Sequence, residues 1–472
     1  MARLARISPL TALWLAVAAW FAGFASLSIL RQLAFSTGRF DLGNMVQAVW
    51  STAHGHPLQV TNLHGEQVLR FAAHFDPILV LFAPAWWVWP SPDMLLVAQS
   101  AAMALGALPV YALARKHLGL ARAGVAFALA YLLYPATTWT VLNEFHPVSL
   151  ATPLLLAAIW ALDEERLGWF AIFALLAATT KEEIPLVIAA LGIWFAFAHG
   201  RRATGAAIAV AGIAWSAIAI GVVIPHYHEQ GSGFYGRYSE IGGSPRGVAN
   251  TALHHPWTFF TVAFDSRGVH YLLALVLPLA GLCLLSPIAL AAVPELVLNL
   301  LSSTPTQTSI HFHYVAGEIP PLVAAAVFGA TRIRRVPAAA VALLAALVGN
   351  YALGAIPVWR ALPAGETLQA RAQDVTAHDR IATRALRVIP PRAPVSASNS
   401  LGAHLSARHR FLSFPFVQDA LWVAVDETQP GYSDRVAPLP AAAQTAWLRR
   451  NRAWNVVFDD DGIVVFHRVL PP

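Results

Sequence analysis

Apolar runs of bilayer-spanning size recur through the first three quarters of the chain and limit its fold more than any other feature. A transmembrane helix needs about 20 mostly apolar residues. Runs that meet or approach this length lie at 10–30, 93–113, 120–138, 148–162, 167–180, 184–199, 203–224, 270–286, 287–300, 318–331 and 337–356. In lipid such segments must satisfy their backbone polar groups internally, so they are read as helices. Only 12% of the 472 residues are charged and 57% are hydrophobic, against about 25% charged in soluble domains. A water-soluble enzyme is thereby excluded for most of the chain, and so is a disordered one. The expectation is an all-α polytopic membrane bundle of about 11 helices over 1–359, with a small α/β soluble domain over 360–472.

The segment 77–90 is apolar too, but it is short and closed by prolines. It reads as a half-inserted or interfacial helix with Trp86, Trp87 and Trp89 at headgroup depth. With the N-terminus inside, eleven basic residues fall on inner loops, among them Arg3, Arg6, Arg115, Lys116 and Arg122. Seven fall on much longer outer stretches, including a first outer loop over 31–92. Positive-inside asymmetry therefore predicts a multi-pass plasma-membrane protein with a cytoplasmic N-terminus and an extracytoplasmic C-terminal domain. The run after Arg6 is too long for a signal-peptide core and reads as a retained first helix. The net charge of +6 is spent on this asymmetry, and nucleic acid is not expected as a partner. A single cysteine, Cys283, excludes a disulfide framework and a cysteine-based zinc site.

The same map sorts the remaining polar residues. Twelve of 18 histidines fall outside, and of the acidic residues before 360 only Asp163, Glu164 and Glu165 fall inside. Any chemistry is expected on the outer face. In RFDLGNMVQAVWSTAHG, a helix from 41 to about 53 would put Asp41 at the end of an apolar stripe with Met45, Ala48 and Val49. Asp41 is placed either to take a proton from an acceptor hydroxyl or to cap that helix. Arg70, His74 and Asp76 in RFAAHFDP precede the interfacial segment, suited to phosphate oxygens or to anchoring and capping. Glu144 and His146 in NEFHP can share a metal or a proton. Lys181, Glu182 and Glu183 in TTKEEIP stand between two apolar runs, partnered at membrane depth or merely solvated at its surface. His311 and His313 flank Phe312, so an extended chain would aim both imidazoles the same way, to hold a pyrophosphate or a metal or to pack at an interface.

From about 360 the composition is that of a soluble domain. The pattern predicts helices over 364–388 and 438–452 and strands over 395–399 and 421–426. Residues 454–469 read as a hairpin turning at Asp461-Gly462. No glycine-rich phosphate loop and no nucleophile is evident, which favours a structural or acceptor-binding accessory over a catalytic unit.

In their order, FDLGNMVQAVWSTAHG, HFDPILVLFAPAWWVWPSPDMLLVAQ, NEFHPVSLATPLLL, TTKEEIPLVIAALG, PELVLNLLSS, SIHFHYVAGEIP and VSASNSLGAHLSAR resemble the blocks of the domain-of-unknown-function 2079 membrane proteins. The likeness covers nearly the whole chain. The architecture in turn resembles the GT-C membrane glycosyltransferases. That resemblance implies a polyprenyl-phosphate-linked sugar donor entering from the bilayer and an envelope glycan, lipid or protein as acceptor. It also implies a catalytic carboxylate early in the first outer loop, matched by Asp41, and a second acidic position in the next outer loop, matched by Glu144. On this reading Arg70, His74, Lys181, His311 and His313 receive the leaving phosphate, and His146 and Glu182 position the acceptor or a metal. Asp41 lacks the adjacent acid of some GT-C branches, so a divalent cation, magnesium or manganese, is left open as cofactor. Two rival readings use the same outer clusters: a transporter or lipid-handling protein without bond cleavage, and a non-catalytic envelope scaffold. The former should show pseudo-symmetric halves and broken helices, and the sequence shows neither.

Overall fold

The computed structural model describes residues 7–227, 233–431, 434–435 and 440–469. Arg3 and Arg6, which open the charge asymmetry, lie outside the described residues. Each apolar run becomes helical, but with unequal lengths. Three helices, Pro9–Leu33, Pro92–Leu118 and Arg202–Tyr227, are long and apolar enough to cross a membrane by themselves. Two further spans count if bent pairs are joined: Ala121–Leu133 with Pro135–Leu142, bent by 49°, and Trp257–Ala263 with Ser266–Leu279, bent by 61°. These breaks are absent from the sequence reading. The first falls at Pro135, whose ring and missing N–H interrupt the helical ladder.

The other expected spans are apolar helices of 10–17 residues, so length and composition support three to five crossings among the described residues rather than eleven. Several begin in a 3₁₀ turn at a proline, as at Pro147–Leu150 and Pro287–Ala292. Proline at the start of a helix gives up no intrahelical hydrogen bond. Small residues let the helices close up. A Cβ on Gly205 would lie 2.4 Å from the Gly192 carbonyl oxygen, and one on Gly212 would lie 2.4 Å from that of Pro185. Helices Ile184–Ala198 and Arg202–Ile218 therefore pack backbone to backbone.

In the first outer loop, a π-helical turn at Arg39–Gly43 leads into helix Asn44–Ala53. Strands β1 (Gln59–Thr61) and β2 (Gln67–Leu69) pair antiparallel beyond it. Within 77–90, a 3₁₀ segment Pro77–Phe82 precedes helix Ala83–Val88. Trp86 is buried in it, whereas Trp87 is 68% exposed.

The C-terminal residues build one five-stranded sheet from β3 (Val395–Ala397), β4 (Phe411–Ser413), β5 (Trp422–Asp426), β6 (Trp454–Asp460) and β7 (Ile463–Arg468). The strand order is β4-β3-β5-β7-β6, parallel on β3 and antiparallel elsewhere. Asp461 and Gly462 turn the hairpin with φ of 51° and 78°, the left-handed pair a two-residue turn requires. The helix expected over 364–388 is confined to Ala377–Leu386, because Thr376 and Asp379 form a capping box that starts it there. Strand β4 and helix Asn399–Leu405 carry no strong local signal and are missed by the sequence pattern.

The C-terminal residues are bound to the first outer loop through specific groups. Phe40 N donates to Asn399 Oδ1 at 3.0 Å, and Gln47 Nε2 donates to the Arg408 and His409 carbonyls. Ala403 sits in the same apolar cluster as Leu42, Val46, Ile78 and Phe145. Truncating one large side chain in such a cluster costs about 2–5 kcal/mol, so the loop and the C-terminal helix share a core.

Candidate active site

A cavity of about 320 Å³ lies under the first outer loop. Its wall includes Asp41, Arg70, His74, Asp76, His146, Lys181 and His313, seven of the polar residues singled out from sequence. Glu144, Glu182 and His311 are not part of the wall. Arg39, Asn62, Arg237 and Tyr314 also line it, although sequence reasoning did not select them.

Asp41 sits inside the π-helical turn, and its side chain is 38% exposed. It does not cap the following helix; neither helix start shows a side-chain cap. The carboxylate that serves this turn is Glu144, reaching across from the next outer loop. Glu144 accepts from Gly38 N at 3.0 Å and from Leu42 N at 2.9 Å. Its backbone has φ of 53°, an uncommon conformation for a residue with a side chain. Burial, and next the neighbouring Asp41, push the Glu144 carboxyl up to about 8 against these two backbone donors. The folded protein thus keeps a proton that the unfolded chain releases near its ordinary value of 4.5. Stability from this group is greatest below that value and is lost as pH rises toward 8. The unfolding temperature is expected to fall across about pH 5 to 8, and the slope should flatten in Glu144→Gln. An unchanged slope in the variant would remove this proton from the account.

His146 and His313 are stacked with centroids 3.6 Å apart and planes inclined by 17°. Asn143 fixes both rings: its carbonyl accepts from His146 Nδ1 at 2.7 Å, and its Oδ1 accepts from His313 Nδ1 at 2.9 Å. His146 Nε2 consequently faces Asp41 Oδ1 at 3.3 Å. Burial, then the charge of His146, hold His313 well below the usual imidazole range, so it is neutral and offers Nε2 as an acceptor. His311 points elsewhere. It packs edge-on to Trp139 at 4.8 Å and bonds Ser309, because a 3₁₀ turn starts at His313 and ends the extended run that would have aligned the two.

Beside His313, whose ring lies 4.3 Å from that of Tyr314, Lys181 lies 2.5 Å from Glu183 and 5.3 Å from the centroid of Tyr314, which Arg237 also approaches at 5.9 Å. Burial opposes the Lys181 charge, but Glu183, Glu182 and Glu295 outweigh it and keep the amine protonated. Glu182 accepts from His74 Nδ1 at 2.8 Å and from Phe75 N at 3.0 Å. Burial would raise this carboxyl, yet His74 brings it down to about 2. Glu182 orients His74 rather than facing the cavity. Arg70 is committed to Asp76 through bonds of 2.9 and 3.0 Å, with the pair only 4% and 2% exposed. Among the described residues no three His, Cys, Asp or Glu stand together to hold a metal ion. Asp41 and His146 would supply two donors to a divalent cation.

A family model described as a predicted membrane protein, DUF2079, matches residues 31–465. The chain belongs to that family. No curated protein matches the sequence. Among solved structures, the chain resembles ArnT from Cupriavidus metallidurans bound to undecaprenyl phosphate, with TM-score 0.53 at 13% identity over 97% of each chain. It resembles the apo state of the same protein with TM-score 0.51 at 12% identity, over 96% of this chain and 98% of that one. At such identities the likeness establishes a shared fold.

Proposed function

We propose that this DUF2079 chain is an integral membrane glycosyltransferase of GT-C type that moves a sugar from a polyprenyl phosphate to an outer-leaflet or cell-envelope acceptor. One observation carries the reading: a single cavity is lined both by a carboxylate, Asp41, and by Lys181, Arg237, His74 and Tyr314. The ArnT likeness adds to it, since that protein was solved with undecaprenyl phosphate in a chain of the same fold. The proposed topology counts the shorter apolar helices as crossings beyond the three to five that length and composition support, up to eleven in all, with the C-terminal sheet and the cavity outside the cell.

In the proposed step the acceptor oxygen forms a bond to the anomeric carbon as the bond from that carbon to the phosphate oxygen breaks. The bonding pair leaves with the phosphate, and the acceptor proton passes to Asp41. Lys181, Arg237 and His74 meet the negative charge on the departing phosphate, the kind of preorganised stabilisation that contributes most to such reactions. His313, a neutral acceptor, receives a hydroxyl proton in a hydrogen bond and fixes the sugar or acceptor.

Undecaprenyl phosphate is expected to bind the full chain in nanodiscs, and Lys181→Gln to weaken it about 10- to 100-fold, the range for one charge-assisted bond. Equal affinity in folded Lys181→Gln would move the phosphate away from this wall. A second reading, lipid handling without bond cleavage, draws on the two bent helices. It predicts that Asp41→Asn keeps full function.

A further inference from the structure

Arg39 is the cation of this cavity for which the polyprenyl phosphate supplies no use. It precedes Asp41 by two residues and lines the cavity, yet it is 2% exposed. Its Nη2 donates to the Thr61 carbonyl. Its Nε is buried and meets no acceptor among the described residues. No carboxylate among the described residues lies within ion-pair distance of it, whereas the neighbouring Arg70 is neutralised by Asp76. Burying a charge with no counter-charge costs several kcal/mol after relaxation. The surrounding elements nonetheless hold Arg39 in place. The Phe411 ring of β4 covers the guanidinium at 5.3 Å. Helix Asn399–Leu405 passes so close that a Cβ on Gly402 would lie 2.2 Å from Arg39 Cβ. The first outer loop walls the cavity here, and β4 and helix Asn399–Leu405 back Arg39 from behind.

We propose that Arg39 is the recognition group for a second oxyanion, a carboxylate or a phosphate carried by the sugar or the acceptor, distinct from the polyprenyl phosphate. The reasoning is one of charge and place. Lys181, Arg237, His74 and Tyr314 come from the connection 179–183 between two helices and from segments near 74, 237 and 314. Arg39 instead belongs to the π-helical turn beneath β4. An anion on Arg39 would supply the missing counter-charge and an acceptor for its one unmatched buried donor, Nε. A guanidinium binds such groups bidentately, which also fixes their orientation. Asp41, two residues on in the same turn, then stands beside the substrate that this anion anchors. The site depends only on the surroundings of Arg39; assigning its anion to a substrate rests on the transferase reading.

The test uses the full chain in nanodiscs saturated with undecaprenyl phosphate, titrated with glucuronate, inorganic phosphate or neutral glucose. Wild type is expected to bind one of the two anions saturably with the lipid still bound, and not glucose. The preferred anion names the class, carboxylate or phosphate. Arg39→Gln should weaken that binding at least about tenfold while undecaprenyl phosphate binds as before. If Arg39→Gln does not fold, Arg39→Lys keeps the charge and loses the fork, and about tenfold weaker binding is again expected. Wild type that binds neither anion above glucose would overturn the proposal, as would unaltered anion binding in the Arg39 variants. If undecaprenyl phosphate itself fails to bind wild type, the donor reading falls. Anion binding that still depends on Arg39 would then leave this site standing.

Discussion

Asp41→Asn is expected to lower sugar transfer by about 10²- to 10⁴-fold, the usual contribution of a positioned general base, with the protein folded and inserted. The change removes the proton-accepting oxygen and the charge that faces His146 and raises Glu144, but no bond that holds the turn or helix, because Asp41 caps neither. The turn itself hangs on Glu144, which bonds Gly38 and Leu42, and on Asn399, which bonds Phe40. The measurement is a comparison of envelope lipids and glycans between a deletion strain and strains complemented with wild type or Asp41→Asn. One glycoconjugate should vanish on deletion and return only with wild type, and its missing sugar names the product. Should Asp41→Asn at normal expression restore everything, the catalytic role is lost and lipid handling or scaffolding becomes the better account.

Arg70→Met should have the largest effect on stability, about 3–5 kcal/mol, because it strands the buried Asp76 carboxylate. The same argument gives Asp76→Leu a similar cost. The double variant Arg70→Met with Asp76→Leu should recover most of the loss, since a well-packed apolar pair often replaces a buried ion pair without penalty. Unfolding temperature in detergent for the two single variants and the double one closes the cycle. The experiment also separates two roles for Arg70. A guanidinium bound to Asp76 through two nitrogens is a brace between the end of β2 and the segment at Pro77. If Arg70→Met leaves unfolding unchanged but loses undecaprenyl phosphate, Arg70 is instead a phosphate ligand.

The C-terminal sheet gains a role that composition alone does not assign to it. Asn399 holds the turn that bears Asp41, Phe411 covers Arg39, and Gln418 Nε2 donates to the His64 carbonyl of the first outer loop at 2.7 Å. These contacts make it a bracket on the cavity.

The sequence by itself determined whatever depends on neighbours along the chain. The apolar runs become helices because a segment in lipid has no other way to satisfy its backbone. The Asp461-Gly462 hairpin forms because those residues tolerate positive φ. NEFHP is a loop with Pro147 opening the next helix for the same local reason. Tertiary structure alone decided which polar groups meet. Glu144 serves a turn more than 100 residues away, Asn143 sets both stacked histidines, and Arg237 shares Tyr314 with Lys181. It also turned His311 out of the cavity and left Arg39 without a counter-charge. Hydropathy and turn preference act over a few residues, whereas a hydrogen bond or ion pair depends on where packing delivers two atoms to within about 3 Å. The chemistry of this site is of that second kind.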